Sequence, residues 1–469
     1  MIKIKIGYKF MSENKINNIS FKDIINFMKQ NGFVFPGSEI YNGLANSFDY
    51  GVLGSLLKQN IKRAWIKKFI QETENNVLLD SSIIMNPKIW EASGHLSSFI
   101  DPLAENKDNN KRYRADKLIK EHNPQINVNK LNFDEMTEYL IQNEILGTKN
   151  WASVKKFNLL FQTHQGVVIE NSSLLYLRPE TCQGIFVNFK NILHSTRKKI
   201  PFGVGQIGKS FRNEITPGNF IFRTCEFEQM ELEFFCHPKD YYEWFVFWKN
   251  YAYNFLLQLG FSSHYLKMKD YEIDDLSHYA NATTDILFHF PWGFDELWGI
   301  SSRNDFDLKQ HQKYSKKDLQ YFDAVTKEKY WPFVIEPSLG VERIFLALII
   351  NCLMNEKLEN GTTRLILKLH PFLSPYKLAV LPLIKGKHSL KAKELYKKLS
   401  SFFEVCYDEN QSIGKRYRRQ DMIGTPFCCT IDEQSLIDDT VTIRERDTLS
   451  QKRFKIEEII KYVQKKIFF

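Results

Sequence analysis

Much of what marks a membrane-bound or secreted protein is missing from these 469 residues. No run of about 18 apolar residues occurs, so no segment is expected to span a membrane. The opening stretch "MIKIKIGYKFMSENK" has no apolar core of the secretory kind, and nothing in it directs export. The seven cysteines (Cys182, Cys225, Cys236, Cys352, Cys406, Cys428, Cys429) are odd in number and contain no C-x-x-C pair. A disulfide framework and a zinc ribbon are therefore both unsupported, and a reducing, cytoplasmic setting without a protein-bound structural metal is expected. Internal repeats and low-complexity tracts are also lacking. Charge of one sign is not in large excess. Lys and Arg number 64 against 55 Asp and Glu, a net charge of +9 that permits a polyanionic partner without requiring one.

What is present is an ordinary globular composition, 43% hydrophobic and 25% charged, in a chain long enough for about three domains. The first helix is legible, with Ser20 as cap, Asp23 three residues on, and Phe21, Ile24, Ile25 and Met28 along one face until Gly32 stops it. A second amphipathic helix is predicted over about 53–71. From about 105 to 150 the chain turns polar ("KDNNKRYRADKLIKEH") and reads as a helical insertion. Short strand-like runs follow over 165–235 ("GVVIE", "LLYLRPE", "KSFRNEI", "EFEQMELEFF"). An aromatic helix comes next over 241–259, then strands near 285–300, and then an apolar helix opened by Gly340 ("VERIFLALIINCLM"). Strands joined by hairpin-type turns, with helices beside them, predict an α+β fold built on an antiparallel sheet. After "LHPFLSP" strands alternate with helices, which predicts a separate C-terminal α/β domain over 371–469.

One stretch, "FGVGQIGKSFRNEITPGNF" (202–220), carries two phosphate-binding spellings at once. Gly203-x-x-x-x-Gly208-Lys209-Ser210 is that of a P-loop, and Gly203-x-Gly205-x-x-Gly208 that of a dinucleotide site. Both need an apolar strand running in and a helix starting after the glycines. The entering "HSTRKKIPF" is charged, and Pro217-Gly218 would end a helix begun at Ser210. Residues 211–231 read better as a hairpin. On a strand Arg212 and Glu214 share a face, whereas Lys209 and Arg212, three apart, point oppositely. The return brings Phe222, Arg223, Glu226, Phe227 and Glu231. A solvated hairpin with paired surface charges would have the same composition.

Taken with the rest of the chain, these segments resemble class II aminoacyl-tRNA synthetases, in particular the homodimeric bacterial type of glycyl-tRNA synthetase. "FRNEI…FRTCEFEQME" is similar to motif 2 of that class, and "EPSLGVERIFLALI" to motif 3. The likeness continues through "GFVFPGSEIYNGL", "EASGHLSSFIDP", "YRADKL", "LRPETCQGIFVNF", "SHYANATTDI", "DELWGI", "QSIGKRYRRQDMIGTPF" and "TVTIRERDT". It implies a catalytic domain over 11–370, a dimer interface near the N-terminal helix and strand ending about Pro87, and an anticodon-binding domain at the C-terminus. It also implies ATP (with Mg2+), glycine and tRNA(Gly) as partners, a second copy of the chain, and no zinc.

Residue by residue, the resemblance implies that Arg212 grips the α-phosphate and the attacking carboxylate, that Phe227 stacks on adenine, and that Arg343 closes the other face. Glu296, with Leu297 beside it, would help hold Mg2+. Asn213, Glu214, Phe222, Arg223, Thr224, Cys225 and Glu226 would line the nucleotide together with Gly340, Val341 and Glu342. Glu180, Glu231 and Glu336 would converge on the glycine ammonium, with Arg114 and Ser338 completing a pocket that also takes in Phe227, Glu228, Gln229, Met230, Pro337, Leu339 and Gly340. These residue types suit the chemistry. Planar arginine matches an oxyanion, and a cation in the first turn of a helix, where the dipole disfavours it, points to a bound anion at Arg343. No amino acid is smaller than glycine, so shape exclusion suffices and no editing domain is expected. In "GKRYRRQ" (414–420), Lys415, Arg416, Arg418 and Arg419 surround Tyr417, a composition suited to single-stranded RNA, although a charged helical face would look alike.

The sequence departs from the family pattern at four positions. Val52 stands in "DYGVLG" where proline is usual, Cys182 replaces an alanine, Cys225 an arginine and Glu342 an aspartate. The resemblance begins only after Met11, which suggests that residues 1–10 are a dispensable extension and Met11 a candidate initiator. Two rivals are weighed: a P-loop kinase or ATPase, and a synthetase-like RNA-binding protein without catalysis.

Overall fold

A computed structural model describes residues 19–166, 173–215, 218–277, 279–358 and 361–469. The suggested extension (1–10), most of the strand expected at "GVVIE" and two residues of the hairpin tip (216–217) lie outside them. The central element is a seven-stranded sheet. In chain order its strands are β1 (Val77–Leu78), β2 (Phe202–Phe211), β3 (Glu226–Cys236), β4 (Leu266–Asp270), β5 (Ala282–Phe290), β6 (Gly293–Asn304) and β7 (Phe333–Gly340). They lie side by side in the order β4-β5-β6-β7-β3-β2-β1, antiparallel throughout except where β1 runs parallel to β2. The α+β plan read from the sequence is the one the chain adopts.

One face of this sheet is packed by α1 (Phe21–Gln30), α2 (Val52–Ile66), α3 (Tyr241–Gln258) and α4 (Val341–Cys352). The Ser20 hydroxyl caps α1 by accepting the Asp23 N–H at 3.2 Å. Helix α4 is apolar nearly all round and is accordingly buried from Ile344 to Ile349. Met230, Leu232 and Phe234 of β3, Trp298 and Ile300 of β6, and Ile335 and Leu339 of β7 join these helices in a single hydrophobic cluster. Strand side chains alternate between faces, so the residues between them (Gln229, Glu231, Glu233; Glu336, Ser338) turn to the opposite face, where the candidate site lies.

The double glycine motif falls inside β2, which runs unbroken through residues 203–210, so no helix starts after Gly208 and no P-loop forms. Close packing explains the glycines instead. A Cβ on Gly208 would lie 2.1 Å from the Arg178 guanidinium, and one on Gly205 would lie 2.6 Å from Ile70 and 2.8 Å from Trp65. The strand stops at Phe211, earlier than "KSFRNEI" suggested: the Arg212 N–H still meets the Cys225 carbonyl in register, but the Asn213 N–H turns away to the carbonyl of Leu159. The face relations expected for Arg212 and Glu214 on a strand therefore do not apply.

The region expected as a helical insertion is instead mixed. Strands Ile100–Asn106, Lys111–Arg114 and Lys155–Asn158 form a small sheet, on which helices Ala115–His122 and Phe133–Gln142 pack through Ile119, Met136, Leu140 and Trp151. The polar "KDNN" is a hairpin turn, in which the Asn106 and Asn109 side chains accept the Asp108 and Lys111 N–H groups.

The C-terminal sheet comprises β8 (Leu378–Pro382), β9 (Val405–Tyr407), β10 (Phe427–Ile431), β11 (Thr440–Glu445) and β12 (Gln451–Lys455), in the order β9-β8-β10-β11-β12. Strand β8 is parallel to both neighbours and the other pairs are antiparallel. Helices Ser389–Leu399, α5 (Ile413–Ile423) and Ile459–Lys466 accompany it. Strand β12 has no apolar run to announce it, since "QKRFK" is an exposed edge.

Candidate functional site

Where β3 meets β7 and the 212–227 segment folds over them, a cavity of about 160 Å3 opens. Its lining includes Arg212, Glu214, Phe222, Arg223, Thr224, Phe227, Gln229, Glu296, Ser338, Gly340, Glu342 and Arg343, so most of the anticipated ATP-site residues do converge. One end is rich in arginine. The Arg212 guanidinium lies between two rings, 5.5 Å from the centroid of Phe99 and 5.3 Å from that of Phe227. Its Nε donates to the Pro179 carbonyl at 3.0 Å. Among the described residues its terminal nitrogens have no hydrogen-bond acceptor, so they are available to an anion. Arg343, in the first turn of α4, sits 4.6 Å above the Phe222 ring and donates to Glu296, to the carbonyl at 3.2 Å and to Oε1 at 3.1 Å. That guanidinium holds the Glu296 carboxyl below the usual carboxylate range.

Sequence reading had passed over a second acid here. Burial and the neighbouring Glu296 push Asp285 up to about 6, and the Tyr271 hydroxyl donates to it at 2.6 Å. Both carboxylates reach over Gly299, where a Cβ would lie 3.6 Å from Asp285 Oδ1 and 4.0 Å from Glu296 Oε1. Two oxygen-bearing acids converging over a side-chain-free position suit a hard divalent cation.

Behind Gln229 and Ser338, and outside the cavity lining itself, lies an acidic group. Antiparallel register sets Glu231 opposite Ser338 and Glu336 opposite Ser301. Glu231 Oε1 accepts from Gln229 Nε2 and Ser338 Oγ, each at 2.7 Å, and Oε2 accepts the Thr181 N–H at 3.1 Å and the Thr181 hydroxyl. Burial and the charge of Glu180 raise the Glu231 pKa. Burial also pushes Glu336 up to about 8, with Glu231 and Glu180 acting against the relief given by Arg303. Glu180 behaves differently. Burial works to raise it, but His95, at 3.5 Å, and Arg303 hold it well below the usual range. Arg303, which the sequence reading also missed, is the cation among these acids. It donates to Glu336 at 2.6 Å and to Asp307 at 2.9 and 3.0 Å, and lies 4.3 Å over the Tyr279 ring.

Several anticipated residues lie elsewhere. Met230, Leu339, Leu297 and Val341 belong to the hydrophobic cluster beneath the sheet, and Pro337, between Glu336 and Ser338, shares that face by strand alternation. Glu228 faces α2 and pairs with Lys58 at 2.7 Å and Lys62 at 2.9 Å. Glu342, although it lines the cavity, spends its carboxylate on the same Lys58 and on the Glu228 N–H. Arg114 is held by Asp101 at 3.1 Å and Asp116 at 2.6 Å and does not line the cavity. Asn213 contributes its N–H to Leu159, Cys225 its carbonyl to Arg212, and Glu226 its carboxylate to the exposed Lys209.

On α5 the basic cluster splits. Arg416 is 2% exposed, and its guanidinium donates to the carbonyls of Pro382, Leu383 and Asp408. Arg419 pairs with Asp408, while Tyr417 bonds Thr430 and lies under Arg444 at 4.8 Å. Lys415 and Arg418 are left exposed.

Comparison with known proteins gives this geometry a family. Residues 161–352 match the tRNA synthetase class II core domain (G, H, P, S and T), and residues 377–466 match an anticodon binding domain. The glycine–tRNA ligase of Macrococcus caseolyticus is 54% identical over 455 residues, covering 95% of this chain and 98% of its own. That of Geobacillus thermodenitrificans is 53% identical over 467 residues, covering 98% and 100%. Among solved structures, the RNA binding domain of threonyl-tRNA synthetase from Cryptosporidium parvum superposes with a TM-score of 0.65 at 17% identity, covering 95% of this chain and 98% of that one, a likeness of fold alone. With identity above one half and running nearly end to end in both chains, the protein belongs to the glycine–tRNA ligase family of class II tRNA synthetases.

Proposed function

We propose that the cavity activates glycine with ATP, forming glycyl-adenylate and pyrophosphate, and that the glycyl group then passes to the 3'-terminal ribose of tRNA(Gly). The observation that carries this reading is the nearness of opposite chemistries at one cavity. Arg212 offers unclaimed donors in the cavity lining, and a group of buried carboxylates waits behind Gln229 and Ser338, which line the cavity and bond Glu231. An amino acid laid between them puts its ammonium on Glu231, Glu180 and Glu336 and its carboxylate toward Arg212, where the α-phosphate also belongs. A glycine carboxylate oxygen then forms the bond to the α-phosphorus as the bond to the pyrophosphate oxygen breaks. Arg212 stabilises the charge that develops on the α-phosphate oxygens, and Arg343 and the rings of Phe222 and Phe227 fix the nucleotide. A bound Mg2+ would neutralise phosphate charge, and Asp285 and Glu296 are the residues suited to hold it.

The reading extends to the assembly and to the RNA. Ile40, Tyr41, Leu44 and Val52 are 88, 79, 68 and 67% exposed in one short N-terminal stretch, a surface that favours burial against a second copy of the chain. A catalytic unit to about residue 370, a tRNA-binding unit beyond it and a cytoplasmic location complete the proposal. On the RNA side Lys415 and Arg418 are the available cations, Arg418 lining a groove of about 250 Å3 with Arg364, Arg444 and Tyr417. The test is glycine-dependent exchange of pyrophosphate into ATP without tRNA. Exchange with glycine, and not with alanine or serine, is the expected result. Exchange supported by serine or alanine instead would overturn the substrate.

A further inference from the structure

Behind the acid end lies a group of side chains that the activation step does not use. Cys182 Sγ, a carboxylate oxygen of Glu231 and one of Glu233 all lie within 4.8 Å of one another. The three residues are 0, 2 and 0% exposed. Glu233 is the anomaly among them, because both of its carboxylate oxygens are buried without a hydrogen-bond partner. A carboxyl group in that state is costly unless it binds something. Arg303 does not serve it, being engaged by Asp307 and Glu336.

We propose that Cys182, Glu231 and Glu233 form a site for a thiophilic divalent cation, zinc or cadmium, which enters through the glycine cavity and excludes glycine when bound. One thiolate and two carboxylates are donors that such an ion accepts, and a tetrahedral site sets sulfur and oxygen about 3.5 Å apart, a contraction that rotation of the two carboxylates can supply. Glu180 Oε1, 3.0 Å from the thiol, is the nearest further donor. Gln229 and Ser338, which bond Glu231 Oε1, both line the cavity, so the route from the cavity to the site runs between those two side chains.

Charge also balances. A thiol and an unpaired carboxyl buried away from water are held neutral, and a metal takes its ligands deprotonated. The cation takes the place of those two protons, which leave to solvent, and the buried group ends with the charge it began with. Exclusion of glycine follows because the same Glu231 carboxylate is claimed and the cation repels an ammonium. This last part rests on the proposed placement of glycine, while the metal site itself does not.

The experiment uses the whole chain, freed of metal by chelation and titrated with Cd2+ in excess Mg2+. The expected result is one saturable site with an ultraviolet sulfur-to-metal absorption and release of about two protons per cation. Cys182→Ala should lose the absorption and bind at least about tenfold more weakly, while keeping glycine-dependent exchange, since Cys182 does not line the cavity. Glu233→Gln should also weaken binding, and if that variant fails to fold the cysteine variant decides. In the unaltered enzyme Cd2+ should inhibit exchange in competition with glycine, and Cys182→Ala should escape that inhibition. Absorption that persists in Cys182→Ala, or absence of a saturable site, overturns the proposal. Binding that depends on Cys182 yet ignores glycine supports the metal site and overturns the placement of glycine on Glu231.

Discussion

The arginine-lined cavity and the acid group behind Gln229 and Ser338 solve opposite problems with opposite devices. At the arginine end the charged groups sit near the rim, lean on the rings of Phe99, Phe227 and Phe222, and keep donors unspent. A ring face supports a guanidinium without taking its hydrogen bonds, so the protein can hold a cation ready for phosphate. At the acid end the groups are buried, and Glu231 is clamped by four hydrogen-bond donors, two of them from Thr181. Burial there raises the affinity of Glu231, Glu233 and Glu336 for protons, so an incoming ammonium replaces protons as well as water. Helix α5 shows what happens when neither device is used. Arg416 and Arg419 spend their donors on carbonyls and on Asp408, and become structure.

The largest expected effect breaks the arginine end. Arg212→Ala should lower the rate of glycine-dependent exchange by about a hundredfold to a thousandfold, the usual loss of a donor aimed at developing charge. The neighbouring cation tests whether position or charge matters. Lys209→Ala, which removes only a surface pairing with Glu226, should retain most of the activity, and the reverse ranking on folded variants would refute the assignment. Next comes the acid end. Glu231→Ala should weaken glycine by about tenfold to over a hundredfold, since a charge-assisted contact contributes about 1.5–3 kcal/mol. Glu231→Gln separates lost charge from lost shape, and steady-state kinetics with each substrate varied will read both.

A smaller effect follows from pH. Glu336 is protonated up to about 8 in the free enzyme, and a bound ammonium favours its ionised form. Glycine binding then releases a proton and tightens as pH rises toward about 8, by at most about tenfold per unit. The sign for stability is the reverse. The raised pKa contributes stability present at acid pH, below the ordinary carboxylate value, and lost as pH climbs through about 8. Glu336→Gln should flatten the glycine profile measured by titration calorimetry across that range, and an unchanged slope would count against the placement. The smallest effect belongs to the RNA side. Arg418→Ala should raise the KM for tRNA a few-fold, more at low salt than at high, as a phosphate contact does. Arg416→Ala should instead lower the melting temperature.

The sequence shows much of this arrangement and hides a definite part of it. The cap of α1, the strand–helix order outside the 100–158 region and, through the family resemblance, the convergence of Arg212, Phe227, Glu296 and Arg343 were legible. Arg303 was not, because in "ISSRNDF" it is one polar residue among several. What makes it central is the cross-strand register that brings Ser301 against Glu336, and pairing register is not written locally. Asp285 was hidden for the same reason on β5. Met230, Leu297, Leu339 and Val341 were drawn into the site by their neighbours in the motif, although period-two alternation or the helix face turns each to the core. The end of β2 depends on the carbonyl of Leu159, which takes the Asn213 N–H, a distant partner that no strand propensity anticipates.

The most direct test of this division of labour is binding without turnover. Calorimetry would titrate glycine, and separately a non-hydrolysable ATP analogue, into Glu231→Ala and Arg212→Ala, each shown to be folded. The account predicts a crossed pattern, in which Glu231→Ala loses glycine and keeps the nucleotide while Arg212→Ala weakens the nucleotide more than glycine. Equal loss of both ligands in Glu231→Ala, or loss of the nucleotide alone, would contradict it.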